Sequence, residues 1–426
     1  MTAIAATTYE QASALRRQRL LGIFFVLVGL AILLALGRGT QAGQLSTLGL
    51  NTVRSAQLLK LPDIVLPTQI VAFVLGLVVV IIGLWQFVRG FRSTGLWIGV
   101  VSGCFVSAFL VWAARGTSFS LIGILTASLQ LATPILFGAL SGILCERAGV
   151  VNIAIEGMML MAAFTSVIVA NATGSIWLGL LAALLSGLLL AAWHAVLSIQ
   201  FKVNQIVSGT VINIFATGLT NFLNQRVLQV YQDLNREQTF PVLSHFFPKL
   251  GQLPIIGPLL FDQGPFVWVA LILLVVVNVA LFQTRWGLRA RAVGEHPRAA
   301  DTLGINVYRV RYVNVMLGGL LAALGGAYFT LGSVGRFDKL MTGGRGFIAL
   351  AAMIFGNWTP VGAFASSLIF GFADALQVKL QILINQVSIP SEFLIMLPYI
   401  VTMVVLAGVV GQATPPAEDG IPYEKQ

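Results

Sequence analysis

The sequence predicts an all-α protein, a polytopic transmembrane helical bundle of about 10–12 spans. Hydrophobic residues make up 57% of the 426 residues and charged residues only 9%, whereas a soluble protein carries about 25% charged residues. Lipid must therefore be the main solvent of this chain. The apolar residues form long unbroken runs, which indicate helices, because every backbone N–H group in lipid needs an internal hydrogen-bond partner.

About twelve apolar runs reach or approach the length of a helix that crosses the hydrocarbon core. They cover approximately residues 20–37, 69–88, 95–113, 119–144, 151–171, 176–199, 205–224, 264–283, 312–334, 346–357, 361–378 and 393–411. The run at 346–357 is short, and Pro360 follows it closely. A broken or re-entrant helix pair and two full spans both fit the region near 346–378. Irregular backbone at membrane depth must be surrounded by protein or a cavity, so we expect this region inside the bundle.

The distribution of basic residues predicts the orientation of the chain. The strongest basic cluster is the loop at about 284–311, which contains Arg285, Arg289, Arg291, Arg298, Arg309 and Arg311 against Glu295 and Asp301. Loops rich in Lys and Arg stay on the cytoplasmic side of a membrane. We therefore expect this loop and both termini in the cytoplasm. Such flanking residues also account for the net charge of +10, so the sequence does not favour a nucleic-acid partner.

The sequence offers no motif for an enzyme. No lysine follows a glycine, so the chain lacks the Walker-type loop that cradles phosphates. The His-Glu-x-x-His pattern is also absent, and the three histidines are scattered. We therefore expect no catalytic residue, no metal site and no cofactor.

Polar residues within apolar runs are the first functional candidates. Asn152 and Glu156 are four residues apart, a spacing that places both on one helical face. An unpaired carboxylate is costly there, so Glu156 should face the bundle interior. It either takes part directly in transport or caps its own first turn or a neighbouring loop. Asp374, close to Gln377, either lines a polar cavity or bonds helices together.

Two short segments between apolar runs are also informative. In the segment 294–306, Pro297 can begin a short helix and Gly304 can end it. A short exposed helix is marginal alone, so it either docks into a partner or belongs to a solvated loop. In the segment Thr342-Gly343-Gly344-Arg345-Gly346-Phe347, glycines open another short helix. The free N–H groups of a helix start attract polar or anionic groups, although a packing role for this loop fits equally.

Three stretches resemble ABC importer permeases of the group that serves simple sugars and nucleosides, which is related to the permeases for branched-chain amino acids. These stretches are 146–159, 294–306 and Phe347-Ile348-Ala349-Leu350-Ala351-Ala352-Met353-Ile354-Phe355-Gly356-Asn357-Trp358. The likeness covers roughly residues 119–411 and is specific for the family rather than for the substrate. It implies a permease core at 114–411, preceded by appended helices and an N-terminal tail at 1–113 and followed by a cytoplasmic tail at 412–426.

The resemblance also implies partners and a location. Cytoplasmic ABC ATPase subunits supply ATP hydrolysis, a second and related permease subunit completes the pathway, and an extracytoplasmic substrate-binding protein, often a lipoprotein, delivers the solute. The implied location is the bacterial plasma membrane. The implied ATPase-coupling loop contains Glu295, Pro297, Arg298, Ala299, Ala300 and Gly304. Arg298 stands where the wider superfamily has a glutamate, and its later Leu-Pro is missing here, so the docking residues differ from the superfamily pattern.

The mechanism that this resemblance implies is alternating access. Nucleosides and sugars are neutral and rich in hydroxyl groups, so their site needs hydrogen-bonding side chains. The substrate-pathway candidates are Asn152, Glu156, Asn204, Gln205, Asn213, Thr217 and Asp374. An ion-gradient-driven secondary transporter of a small polar solute is the alternative function, and branched-chain amino acids are the alternative substrate.

Overall fold

The computed structural model describes residues 2–51, 60–383, 396 and 413–425. Within these residues, ten helices are long and apolar enough to cross a membrane. This finding confirms the predicted polytopic helical bundle. The apolar run at 393–411, a predicted span, lies outside the described residues apart from Met396.

Most of the longer described helices begin and end close to the apolar runs, whereas α1 begins well before the run at 20–37. In chain order the helices are α1 (Thr2–Ala31), α2 (Thr68–Val88), α3 (Thr94–Ala113), α4 (Leu121–Glu146), α5 (Ile155–Thr173), α6 (Ile176–Ala195), α7 (Gln205–Leu223), α8 (Pro248–Gly251), α9 (Pro265–Gln283), α10 (Arg285–Glu295), α11 (Pro297–Thr302), α12 (Val307–Ala327), α13 (Arg345–Phe355) and α14 (Pro360–Leu383). Four of them continue into π-helical turns, at Ile32–Gly37, Val196–Gln200, Asn224–Leu228 and Tyr328–Val334.

The described residues fall into two compact units. The first covers the chain up to Ile124 and the end of α14 from Lys379, and the second covers Leu125–Val378 and residues 413–425. A small sheet that the sequence did not predict belongs to the first unit. Strand β1 (Leu45–Gly49) pairs antiparallel with β2 (Ile64–Pro67) and parallel with β3 (Ser118–Ser120). These strands are too short for their apolar periodicity to be recognised from sequence.

In the first unit, α1 and α2 approach each other closely. A Cβ atom on Gly83 would lie 2.6 Å from the backbone nitrogen of Val26, and one on Gly22 would lie 2.6 Å from that of Phe87. The glycines in this contact are Gly22, Gly29, Gly76 and Gly83. Small residues let membrane helices pack with their backbones in contact, so these positions require glycine.

In the second unit, α5 and α12 make a comparable contact. A Cβ atom on Gly325 would lie 2.6 Å from Cε of Met159, and one on Gly326 would collide with the Met159 carbonyl. Gly318 and Ala322 on the same helix are buried. Small residues on α12 therefore let it pack closely against its neighbours.

The region near 346–378 consists of a short helix followed by a long one. Helix α13 has 11 residues and α14 has 24, so only α14 has the length of a membrane span. Asn357 and Trp358, in the turn between them, have φ angles of 51° and 50°. The interrupted arrangement is therefore correct, and the region does not form two full spans.

Candidate transport and coupling sites

Glu156, in the first turn of α5, caps the start of α13. Its Oε1 accepts hydrogen bonds from Oγ1 of Thr342 at 2.6 Å and from the backbone nitrogen of Gly344 at 2.9 Å. Its Oε2 accepts one from the backbone nitrogen of Gly346 at 2.6 Å. The first N–H groups of a helix lack partners within the helix, and its dipole favours a negative group there. The half-buried Glu156 carboxylate therefore pairs directly with the glycine-rich start of α13.

An ion pair lies beside this cap. Nη2 of Arg345 is 3.5 Å from Oδ2 of Asp374, and the two side chains are 24% and 16% exposed. The Arg345 guanidinium carbon also lies 5.7 Å from the ring centroid of Phe329. Among the described residues, Nε of Arg345 has no hydrogen-bond partner. We call Glu156, Thr342, Arg345 and Asp374 the α13 cluster. It combines two carboxylates, one cation and a hydroxyl group next to an aromatic face.

Two candidates on α7 bind backbone atoms in the turn before α5 and in the first turn of α5. Oε1 of Gln205 accepts a hydrogen bond from the Val151 nitrogen at 2.7 Å. Asn213 accepts one from the Gly157 nitrogen and donates one to the Ile153 carbonyl, both at 2.8 Å. These bonds satisfy polar backbone groups that would otherwise be buried without partners. Gln205 and Asn213 therefore hold this irregular turn against α7.

The three remaining candidates make no hydrogen bond to the α13 cluster among the described residues. Asn152 is fully buried and its Oδ1 accepts a hydrogen bond from the Ala154 nitrogen at 3.1 Å. Because α5 begins at Ile155, Asn152 lies in the turn before it and does not share a helical face with Glu156. Asn204 caps the start of α7 through its side chain. Thr217 is half-buried on α7.

The segment 294–306 contains the short helix that its proline and glycine predict. Helix α11 runs from Pro297 to Thr302, and Gly304 follows it with a φ angle of 80°. Pro297 and Ala300 are buried, whereas Arg298 and Ala299 are exposed. Leu303 is 81% exposed. The loop therefore presents a small surface with a basic and an apolar side chain.

Residues 413–425, which we call the tail, pack against this loop. The backbone nitrogen of Glu418 donates a 2.9 Å hydrogen bond to the Gly294 carbonyl. The backbone nitrogen of Ala417 donates one to Oε2 of Glu295 at 3.2 Å. The Tyr423 ring is buried in an apolar cluster with Val293, Ala300 and Val307. The tail therefore covers the inner face of the loop.

A cluster of polar side chains connects the tail to the end of α4 and to the start of α12. Arg311 is 1% exposed and its Nη1 donates a 2.9 Å hydrogen bond to the Ile421 carbonyl. Asp419 forms a side-chain hydrogen bond with Glu146. Burial raises the pKa of Asp419 to about 6, although the Glu146 hydrogen bond and the Arg311 charge oppose the rise. Burial also affects Arg147, the residue that follows Glu146, and lowers its pKa because it disfavours the charged form.

Sequence reasoning missed this cluster of polar side chains. Glu146 lies at the end of an apolar run and Arg311 at the start of another, positions that are typical of residues at a membrane interface. The available signal was the acidic pair Glu418-Asp419 in a chain that also contains an arginine-rich loop. Opposite charges of that kind favour a contact, but they do not specify which residues make it.

Comparison with known proteins places the chain among permeases. The model of the family described as "Branched-chain amino acid transport system / permease component" matches residues 124–410. The guanosine ABC transporter permease protein NupQ of Bacillus subtilis is 41% identical over 313 residues, which are 71% of this chain and 96% of that protein.

Two further relatives differ in the solute that their names give. The nucleoside ABC transporter permease protein NupC of Lactococcus lactis is 41% identical over 302 residues, 69% of this chain and 94% of that protein. The putative glucose ABC transporter permease protein TsgC13 of Haloferax volcanii is 38% identical over 259 residues, 61% of this chain and 78% of that protein. No solved structure gives a significant match.

Proposed function

The chain belongs to the permease family of branched-chain amino acid transport systems, and we propose that the solutes it transports are nucleosides. It is the permease subunit of an ABC importer, a multi-pass membrane protein, and ATP hydrolysis belongs to a separate subunit. The chain itself is therefore not an enzyme. Importers of this family also work with a substrate-binding protein and a second permease.

One observation supports nucleosides over other solutes. The guanosine and nucleoside permeases are each 41% identical to this chain and match it over 96% and 94% of their own length. The α13 cluster is compatible with a neutral, hydroxyl-rich solute. The N–H groups at the start of α13 stabilise the negative charge of Glu156, and the charges of Arg345 and Asp374 neutralise each other. Such groups can form hydrogen bonds with a solute that carries no net charge.

We propose that α11 is the part that contacts the ATPase. The helix has 6 residues and stands beside the strongly exposed Leu303. An exposed apolar side chain on the same loop as the exposed Arg298 suits a partner groove that is apolar with an acidic rim. The candidates Glu295, Pro297, Arg298, Ala299, Ala300 and Gly304 then divide into an exposed contact face and a buried supporting face.

The orientation and the remaining partners follow from the same proposal. If α11 contacts a cytoplasmic ATPase, the loop at 284–311 and the tail are cytoplasmic, in agreement with its arginines. The second permease would be a related chain, and the binding protein a lipoprotein on the opposite side of a bacterial plasma membrane. Protease protection of the tail in right-side-out vesicles tests this orientation.

Uptake into proteoliposomes tests the function. The permease, its ATPase, the second permease and the binding protein are reconstituted together, and labelled guanosine, ribose and glucose are compared. We expect ATP-dependent guanosine uptake that requires the binding protein. ATP-dependent uptake of a sugar alone would replace the nucleoside with the solute class of the Haloferax relative.

A further inference from the structure

We propose that the tail, residues 413–425, positions the ATPase-coupling loop and stays attached to it throughout the transport cycle. This inference rests on the proposed coupling role of α11. It assigns a function in energy coupling to a segment that contacts neither the solute nor, by this proposal, the ATPase. Tyr423 is the principal positioning residue.

The need for support follows from the length of α11. A helix of 6 residues is unstable by itself, because forming the first turn fixes several residues for few hydrogen bonds. Its inward side chains, Pro297 and Ala300, are small. Such side chains bury little apolar area and leave space that another group must fill. The orientation of α11 therefore depends on what packs beneath it.

The Tyr423 ring supplies that packing. It belongs to the cluster of Val293, Ala300 and Val307, in which each of these three residues is at most 3% exposed. Its centroid lies 5.4 Å from that of Tyr308, with the planes at 63°. Edge-to-face contacts between aromatic rings restrict their relative orientation. The ring therefore holds the residues before, within and after α11 in one packed group.

The tail also joins the coupling loop to other parts of the second unit. Glu418 bonds the Gly294 carbonyl, and the Ile421 carbonyl accepts a hydrogen bond from Arg311. Further along, Glu424 pairs with Nζ of Lys202, just before α7, at 2.6 Å. A displacement of α11 therefore reaches α7 through the tail as well as through the covalent chain.

The first test compares Tyr423→Ala with the matched control Tyr423→Phe, which keeps the ring. Both variants are reconstituted as the full complex, and the number of ATP molecules hydrolysed per guanosine imported is measured. We expect Tyr423→Ala to raise this ratio about fivefold, within the range by which residues along a coupling network alter coupling. Tyr423→Phe should stay within about twofold. A loss of folded protein lowers both rates and leaves the ratio unchanged.

An unchanged ratio in Tyr423→Ala would overturn the proposal, provided that the wild-type complex imports guanosine with ATP. If the wild-type complex shows no ATP-dependent uptake of guanosine or a sugar, the proposed function fails instead. The two failures are therefore distinguishable. Deleting residues 417–426 serves as a second variant, because it removes Tyr423 together with most of the tail, and it should raise the ratio similarly.

A crosslink tests attachment without weakening the tail. Cysteines replace Glu295 and Ala417 in a Cys104→Ser background. In the wild-type chain, Oε2 of Glu295 lies 3.2 Å from the backbone nitrogen of Ala417. The remaining Cys145 is fully buried. A short thiol crosslinker should leave ATP-dependent uptake within about twofold of the unlinked variant, because a permanently attached tail has no need to separate. Loss of uptake that reductive cleavage of the linker restores, and that the same reagent does not cause in a Glu295→Cys single variant, would show that the tail must detach.

Discussion

The indole Nε1 of Trp358 donates a hydrogen bond of 2.5 Å to Oε2 of Glu146, which lies 212 positions earlier in the chain. Nε of Arg147 donates another, at 3.0 Å, to the carbonyl oxygen of Trp358. The end of α4 thus holds the turn between α13 and α14 through both the side chain and the backbone of one residue. That residue has a left-handed φ angle of 50°, which is uncommon for a large side chain and persists only where neighbours enforce it.

Trp358→Phe should destabilise the protein by about 1–3 kcal/mol, because it removes a donor from a buried carboxylate. The measurement is the melting temperature in detergent. Trp177→Phe is the control, since Trp177 is 71% exposed and surface substitutions stay within about 0.5 kcal/mol. Equal melting temperatures for Trp358→Phe and wild type would contradict a role of this hydrogen bond.

Glu156→Gln should lower stability by about 1–3 kcal/mol, since a neutral amide interacts less with the N–H groups at the start of α13 and aims its own NH2 group at donors. Guanosine uptake per folded complex should change by less than about twofold. Melting temperature and initial uptake rates are measured on the same preparation. A KM raised more than about tenfold at an unchanged melting temperature would instead place Glu156 in direct contact with the solute.

Asp374→Asn and Arg345→Gln should each reduce uptake about tenfold, because each leaves the other charge without its partner in a poorly hydrated place. The double variant removes both charges, and we expect it to retain uptake within about threefold of wild type. Initial rates per folded complex give the measurement. If the double variant loses as much as the product of the two single losses, the pair does not act as a unit.

Gly304→Val should reduce stimulation of the ATPase by the permease, and Gly304→Asn should preserve it. At the Gly304 φ angle of 80° an added Cβ atom meets open space, so a side chain there causes no clash. The penalty comes from the backbone alone, about 1–2 kcal/mol for most residues and less for asparagine. The stimulated ATPase rate is compared at equal amounts of assembled complex. Equal stimulated ATPase rates for the two variants would show that backbone strain at Gly304 does not affect coupling.

Docking of the tail should weaken as the pH rises. The pKa of Asp419 is about 6 in the docked tail and about 4 for a free aspartate, so docking favours the protonated acid. The stabilisation is complete below about pH 4 and is lost as the pH rises through 6. Amide hydrogen exchange of the tail, corrected for chemical exchange, should show less protection at pH 7.5 than at pH 5.

Asp419→Asn is the control for this effect, because the amide imitates the protonated acid. Glu146 and Arg311 face Asp419, and the arginine stays charged over this range. The variant should therefore show a smaller difference in protection between the two pH values. Protection that increases with pH in the wild-type tail, or an equal difference in both proteins, would contradict the assignment.

Composition and run length were sufficient to predict the helical bundle, because the cost of exposing backbone and charges to lipid restricts the possible structures. The start of α5 was harder to predict. Asn152 continues the apolar run, but its side chain bonds the Ala154 nitrogen and forms a turn. Such local side-chain bonds compete with a helix and leave no trace in hydrophobic periodicity.

The residues of the candidate site were predictable one by one, but the contacts between them were not. Glu156 and the glycines of 342–346 were each recognised from local pattern, but the 188 positions between Glu156 and Gly344 give no signal of their contact. The tail was harder still. Its prolines and acidic residues indicate a solvated segment, whereas in the structure contacts such as the packing of Tyr423 and the bond from Arg311 to the Ile421 carbonyl dock it.

The glycine contact between α1 and α2 has a consequence for biogenesis. All four glycines lie within residues 22–83, and the atoms nearest to them belong to α1, to Leu33 in its π-helical continuation and to α2. Contacts between neighbours in sequence form quickly. As the nascent chain leaves the ribosome, this hairpin can close in the bilayer as soon as α2 has been inserted, long before the translation of α5 or α12. The first two helices can therefore mature as an autonomous insertion unit.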